Sequence, residues 1–286
     1  RLPALRAALL LSAACASQSV LAHDHAVLRG RLVFADHEKP VVRVLDLDTG
    51  EVTHSFDVPK ANPGFATAQG GRFVVIKTGD DAGTIRFLDT GLTIESHGDH
   101  NDVEKGPVKL TDLVLTGQKP AHVISGHGQL ALFYDGIRPW DGPSTAKAVL
   151  VAINDLAKDK PALTEWPSPG PQHGIVVPLG ARRWLTSVPN PAYVSGDDRK
   201  ASSRPDGFEI QQQDKGAWHR LASFNDPAKP DASCKLYHGH AAAGGRHVFG
   251  CAEGEGGGML VLSQDKGRLS ARKLAYPDER RISAIK

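Results

Sequence analysis

The stretch Ala121-His122-Val123-Ile124, a turn at Gly126-His127-Gly128 and the apolar run Leu130-Ala131-Leu132-Phe133-Tyr134 together decide the fold. Two short β-prone runs joined by a glycine-bearing turn read as a β-hairpin. Two further strands are expected at 148–153 and 163–166, which completes a unit of four short strands. The same order recurs along the chain. One cycle occupies 65–68, 72–77, 84–88 and 92–95, with turns at Gly70-Gly71 and Thr90-Gly91. Another starts at His173, turns near Gly180 and continues through 183–188, 208–212 and 218–223. The last starts near His238, turns at Gly244-Gly245 and continues through 247–252, 259–263 and 269–275.

A supersecondary unit repeated in one fixed order is the mark of a repeat architecture. Strands at 32–35, 41–46 and 52–58 precede the first full cycle, and 282–285 reads as one more inner strand. The expected fold is all-β, a β-propeller of four-stranded antiparallel blades, with about five blades in this sequence. Two closures are open: the last strand completes the N-terminal three, or the end at Lys286 truncates a longer ring. A pair of β-sandwiches is the rival, and the single repeating strand order argues against it.

The N-terminus carries Arg1 and Arg6, an apolar run at 7–14, and small and polar residues up to Val20-Leu21-Ala22. This reads as a secretory signal peptide at 1–22, cleaved after Ala22. A lipidated Cys15 fits less well, because Ser12 stands three residues before it. The remainder divides into a flexible His-containing arm at 23–30 and a propeller domain at 31–286. Past the signal, no apolar stretch approaches the ~18 residues that a spanning helix needs. With 34 basic against 32 acidic residues, the chain lacks the charge surplus of a nucleic-acid binder. Two cysteines remain after the signal, Cys234 and Cys251, and an oxidising compartment pairs them by default. A zinc site built from Cys234, His238 and Cys251 is the competing reading.

Thirteen histidines are unusual for this length. In a propeller, the chain enters each blade near the axis, so residues at that entrance from different blades face one another. His122, His173 and His238 all hold that position, in Pro120-Ala121-His122, Gln172-His173-Gly174 and Tyr237-His238-Gly239. Any one of them alone reads as a packed inner-strand residue; three together read as metal ligands. The segment Ser96-His97-Gly98-Asp99-His100-Asn101-Asp102 adds potential ligands where the chain is expected to return to the same face. Imidazole and carboxylate donors without paired thiolates suit zinc, although copper(II) binds such nitrogen sites more tightly. His240 is a further candidate for the same channel. His127 falls in a turn on the opposite face, while His54, His219 and His247 read as structural strand residues. His23 and His25, next to the new N-terminus, read as an accessory metal-gathering arm.

With these residues in view, the chain resembles the AztD family of periplasmic zinc metallochaperones. The matching pieces are Val44-Leu45-Asp46-Leu47-Asp48-Thr49-Gly50, Phe87-Leu88-Asp89-Thr90-Gly91, His97-Gly98-Asp99-His100, Lys119-Pro120-Ala121-His122, Gln172-His173-Gly174, and Cys234 followed by His238-Gly239. The resemblance implies a zinc-binding β-propeller that hands Zn2+ directly to the substrate-binding protein of a zinc ABC transporter. It implies His100, His122, His173 and His238 as the core ligand set, with His97 and Asp99 as alternates. Members of the family are as a rule longer and carry more histidines in the N-terminal arm. The expected protein is a periplasmic monomer and not an enzyme, free of nucleic acid and of the membrane once the signal is cleaved. A metal-dependent propeller hydrolase and a metal-free interaction scaffold are the alternatives.

Overall fold

The structure, a computed structural model, describes residues 28–98, 101–251, 257–265, 268–277 and 285. The expected signal peptide, most of the arm with His23 and His25, the candidate ligands Asp99 and His100, and most of the expected last strand lie outside the described residues. No helix among the described residues is long and apolar enough to cross a membrane.

Antiparallel strands dominate. A first sheet holds β1 (Arg31–Ala35), β2 (Val41–Asp46) and β3 (Glu51–Asp57) in that order. A second begins with β4 (Gly64–Ala68), β5 (Phe73–Lys77) and β6 (Ile85–Asp89). There the chain leaves to make a separate hairpin of β7 (Leu92–Ser96) and β8 (Asn101–Lys105), and returns as β9 (Lys109–Leu115) to pair with β6. The third sheet is β10 (Pro120–Gly126), β11 (Gln129–Tyr134), β12 (Lys147–Ala152) and β13 (Leu163–Pro167). The fourth is β14 (Val176–Gly180), β15 (Arg183–Ser187), β16 (Phe208–Asp214) and β17 (Ala217–Phe224). The fifth is β18 (His238–Ala243), β19 (Arg246–Cys251), β20 (Gly258–Asp265) and β21 (Arg268–Ala275).

The all-β class and the four-strand unit hold, with one correction. Residues 92–95 do form a strand, but it pairs with β8 alone, and β9 supplies the fourth strand of the second sheet. A strand-like pattern at 92–95 reports extended backbone without naming the partner, and an inserted hairpin satisfies it equally well.

Each middle sheet is buried on both faces, which explains the nearly continuous apolar runs of its central strands. Successive side chains on a strand point to opposite faces. On β5, Phe73 and Val75 pack with Leu130, Leu132 and Tyr134 of the next sheet, while Val74 and Ile76 pack with Val42 and Val44 of the previous one. On β11, Ala131 and Phe133 turn the other way, towards Val176 and Trp184 of the fourth sheet. That sheet's opposite face, through Val177, Leu185 and Phe208, meets Tyr237, Phe249 and Leu260 of the fifth. The five sheets therefore stack face to face in chain order. A disulfide joins Cys234 to Cys251 across the start of the fifth sheet.

Candidate metal centre

Three segments from three successive sheets meet at one cavity of about 380 Å³, whose lining includes His122, His173 and His238. Two of the three lie on strands beside a register shift, and the third lies just outside one. His122 sits in an irregular stretch of β10, where the register with β11 shifts between Pro120 and Val123. His173 precedes β14. His238 opens β18, where a register shift between His238 and His240 accompanies Gly239 at φ +85°. Bulges of this kind re-aim a side chain without ending the sheet.

The loop before β14 is tied down on all sides. The Gln172 N–H donates to Asp135 O at 3.0 Å, and its side-chain amide donates to Ser168 Oγ at 2.7 Å. The His173 N–H donates to Ser203 O at 2.7 Å. Gly174 is required by space: a Cβ there would fall 2.4 Å from Ser187 Oγ and 2.7 Å from Phe133 Cζ. On the fifth sheet, the disulfide anchors the segment four residues before His238, and Gly250, the residue before Cys251, pairs with His238.

The result is a set of three ring nitrogens all within 4.8 Å of one another. His122 Nε2 and His173 Nε2 are 3.1 Å apart. Two nitrogens at that separation, each ~2.0 to 2.1 Å from one ion, subtend about 100° at it, close to the tetrahedral angle. The His173 and His238 rings lie nearly parallel, with centroids 5.3 Å apart.

Behind His173 stands Asp135, almost fully buried. Its Oδ2 accepts from His173 Nδ1 at 2.8 Å and lies 3.2 Å from Lys119 Nζ. The carboxylate holds the proton on Nδ1, so a neutral His173 ring presents a bare Nε2 to the cavity. His122 must then donate from its own Nε2 across the 3.1 Å contact. Ligation of an ion through this nitrogen would require the other tautomer of His122, with its proton on Nδ1. Burial pushes His122 down to about 3, and the neighbouring His173, His238, Lys77 and His240 push in the same direction. The ring is therefore neutral at pH 7, the form that ligates metal. Lys77 reaches over from the second sheet to donate to Ala121 O, and burial lowers its pKa too.

Of the six expected ligands, the structure brings together His122, His173 and His238, and among the described residues they form the one group of this kind. His97 stands elsewhere, with its Nε2 3.2 Å from Asp102 Oδ2. Its hairpin springs from the Asp89 end of the second sheet, where Asp89 pairs with Phe73. That is the far end of β5 from Lys77, the residue that touches Ala121. Residues 92–95 and the turn Gln69–Gly71 line a shared cleft at that far end. The expectation that this segment returns to the His122 face rested on 92–95 being the fourth strand, and it falls with that assignment.

Sequence reasoning missed Asp135. The available signal was an acidic residue directly after the apolar run 130–134 and before Gly136, at the strand end that pairs with Pro120 beside His122.

The fold and site define an all-β protein of stacked, mostly four-stranded sheets with a three-histidine, carboxylate-backed cluster that could hold a metal ion. No family model matches the sequence. The chain is 29% identical over 253 residues to the zinc chaperone AztD of Citrobacter koseri, which covers 88% of this chain and 52% of that protein. The crystal structure of Citrobacter koseri AztD superposes with a TM-score of 0.68 at 26% identity, over 89% of this chain and 60% of that one. Apo AztD from the same organism gives 0.69 at 27% identity, over 89% and 61%. A functionally unknown protein from Desulfotomaculum acetoxidans shares the fold at a TM-score of 0.50 and 13% identity. The chain is similar to the zinc chaperone AztD over most of its own length, and it spans about half the length of that curated relative.

Proposed function

We propose that this chain is a zinc carrier of the periplasm and not a catalyst. His122, His173 and His238 hold the ion, and a fourth position stays open to a ligand from the receiving protein. The observation that carries this reading is the convergence of three ring nitrogens within 4.8 Å, with Asp135 buried behind one of them. The relationship to a zinc chaperone supports zinc as the cargo, and an all-imidazole donor set suits a borderline ion such as Zn2+.

In this reading the five stacked sheets are blades of a β-propeller, and the three histidines stand at its axial mouth. Export follows from the signal peptide at 1–22, and the disulfide between Cys234 and Cys251 fits an oxidising compartment. The partner is the substrate-binding protein of a zinc ABC transporter. Transfer proceeds by ligand exchange, in which a partner ligand occupies the open position before an imidazole lets go, so that no aqueous zinc forms.

The test uses the mature protein, purified without an affinity tag and dialysed to remove loose metal. About one zinc per chain, lost in His122→Ala, His173→Ala and His238→Ala, is the expected result. Transfer to the transporter's binding protein should then outpace spontaneous release to a chelator. No retained zinc, or retention unchanged in all three variants, would overturn the reading.

A further inference from the structure

Lys77 ends β5 on the face of the second sheet that meets the third. Alternation along the strand puts it on the same side as Phe73 and Val75, which pack with Leu130, Leu132 and Tyr134. Its pairing partner on β4 is Gly64, where a Cβ would lie 3.4 Å from Lys77 Cε, so the lysine stem runs over glycine backbone. The ammonium then crosses to the third sheet and donates to Ala121 O. That carbonyl belongs to the peptide unit leading into His122, within the register shift between Pro120 and Val123.

The neighbouring charges are already engaged. Lys77, Lys119 and Asp80 line one cavity of about 420 Å³ that reaches Pro120, two residues from His122. Asp80 accepts from the Thr78 hydroxyl at 2.6 Å, and from the Thr84 N–H and hydroxyl at 2.9 and 2.8 Å. Lys119 stands 3.2 Å from Asp135 Oδ2. Lys77 makes no such ion pair among the described residues, and the oxygen it bonds is that of a neutral carbonyl. Burying an ammonium without a carboxylate in contact costs stability. A neutral side chain could support Ala121 O without that cost; what lysine adds is a positive charge next to His122, and that charge already disfavours protonation of the ring.

We propose that Lys77 weakens the hold on the cargo: its charge repels a cation bound by His122, His173 and His238 and so sets how readily the ion leaves for the receiving protein. This rests on the carrier reading. A carrier must bind firmly enough to collect zinc and loosely enough to surrender it. Three neutral imidazoles backed by Asp135 serve the first need, and a fixed ammonium on the other side of His122 serves the second. Coulomb repulsion scales with the charge of the ion, whereas support of a backbone carbonyl does not.

The test compares Lys77→Met and Lys77→Gln with the unaltered mature protein. Affinities for Zn2+ and for Ag+ are measured by competition against a chelator of known affinity for each ion, and zinc release to excess chelator is followed by stopped flow. Both variants should bind Zn2+ about tenfold more tightly and release it more slowly by a similar factor, with a gain for Ag+ about half as large on a logarithmic scale. Lys77→Gln keeps an N–H donor, and thermal unfolding reports the fold of both variants. A gain in neither variant would overturn the proposal and leave Lys77 as a prop for the His122 backbone. A gain of equal size for the two ions would also overturn it, because charge would not be the cause. His122→Ala, measured alongside, separates two failures. If the unaltered protein holds no zinc that His122→Ala loses, the carrier reading itself fails; if that zinc is present and the Lys77 variants gain nothing, only this proposal does.

Discussion

Asp135 Oδ2 and His173 Nδ1 are 2.8 Å apart, and this contact fixes which nitrogen of His173 is free for metal. The other carboxylate oxygen, Oδ1, is buried with no hydrogen-bond partner among the described residues, so His173 and Lys119 are the partners that hold the carboxylate. A carboxylate behind a ligating histidine sets the tautomer and raises ligand basicity, and its loss typically costs about 10- to 100-fold in metal affinity. Asp135→Asn should therefore weaken zinc binding by that range while leaving the secondary structure intact. Competition against a chromophoric chelator measures it. An affinity equal to that of the unaltered protein would remove Asp135 from the site.

Acidity should destabilise the metal-free protein through His122. Its folded pKa, about 3, lies below the ordinary 6.5 because the ring is buried beside other histidines and Lys77. The unfolded chain therefore binds more protons than the native one between those values, so stability rises with pH across that window. The contribution is complete above about pH 6.5 and is lost progressively as pH falls towards 3. His240, held down to about 4 by burial and by His247, adds in the same direction. Urea unfolding between pH 7 and 4 should show declining stability, with a shallower decline in His122→Gln. Parallel profiles for the two proteins would contradict this origin.

The disulfide closes a separation of 17 residues. Chain entropy alone gives about 3 kcal/mol for such a loop. Replacing both Cys234 and Cys251 by serine should lower stability by roughly that amount, and should also reduce zinc affinity, because the bond anchors the segment leading into His238. Denaturant unfolding and chelator competition on the same variant test the two effects separately.

Gly174→Ala places a methyl group against Ser187 Oγ and Phe133 Cζ, both far inside contact distance. Overpacking of this kind costs about 1 to 3 kcal/mol. The relief available is displacement of the loop that carries His173, so zinc affinity should fall along with thermal stability. Retained affinity at reduced stability would show that the ligand's position does not depend on this packing.

His97→Ala should leave zinc affinity at the three-histidine site unchanged, since the β7–β8 hairpin springs from the Asp89 end of its sheet. The measurement is the same chelator competition, and a marked loss would bring that hairpin back into the site.

How far the sequence speaks differs from one element to the next. The third, fourth and fifth sheets were legible because each opens with a hairpin marked by glycine and follows one strand order. The second sheet was not, because 92–95 carries the same local pattern whether it pairs with β6 or with β8; the decision is made by tertiary pairing. His122, His173 and His238 were readable as a set because repetition placed them at equivalent positions. Asp135 and the pairing of His240 with His247 were not, since each depends on a contact between segments that no local spacing encodes. Asp99 and His100 lie outside the described residues.

His122 and His238 stand on two different sheets and His173 just before a third, and among the described residues no strand ladder crosses from one of those sheets to the next. The seams between them are filled chiefly by side chains, which slide more readily than laddered backbone. In the proposed carrier, a single ion gripping all three rings would act as a splint across two seams between sheets that also pack through shared apolar clusters. In that proposal, loading would stiffen the mouth and emptying would loosen it, so rigidity would report whether cargo is held. A receiving protein that docks on the stiff mouth and releases the slack one needs no separate signal to leave once the ion has passed.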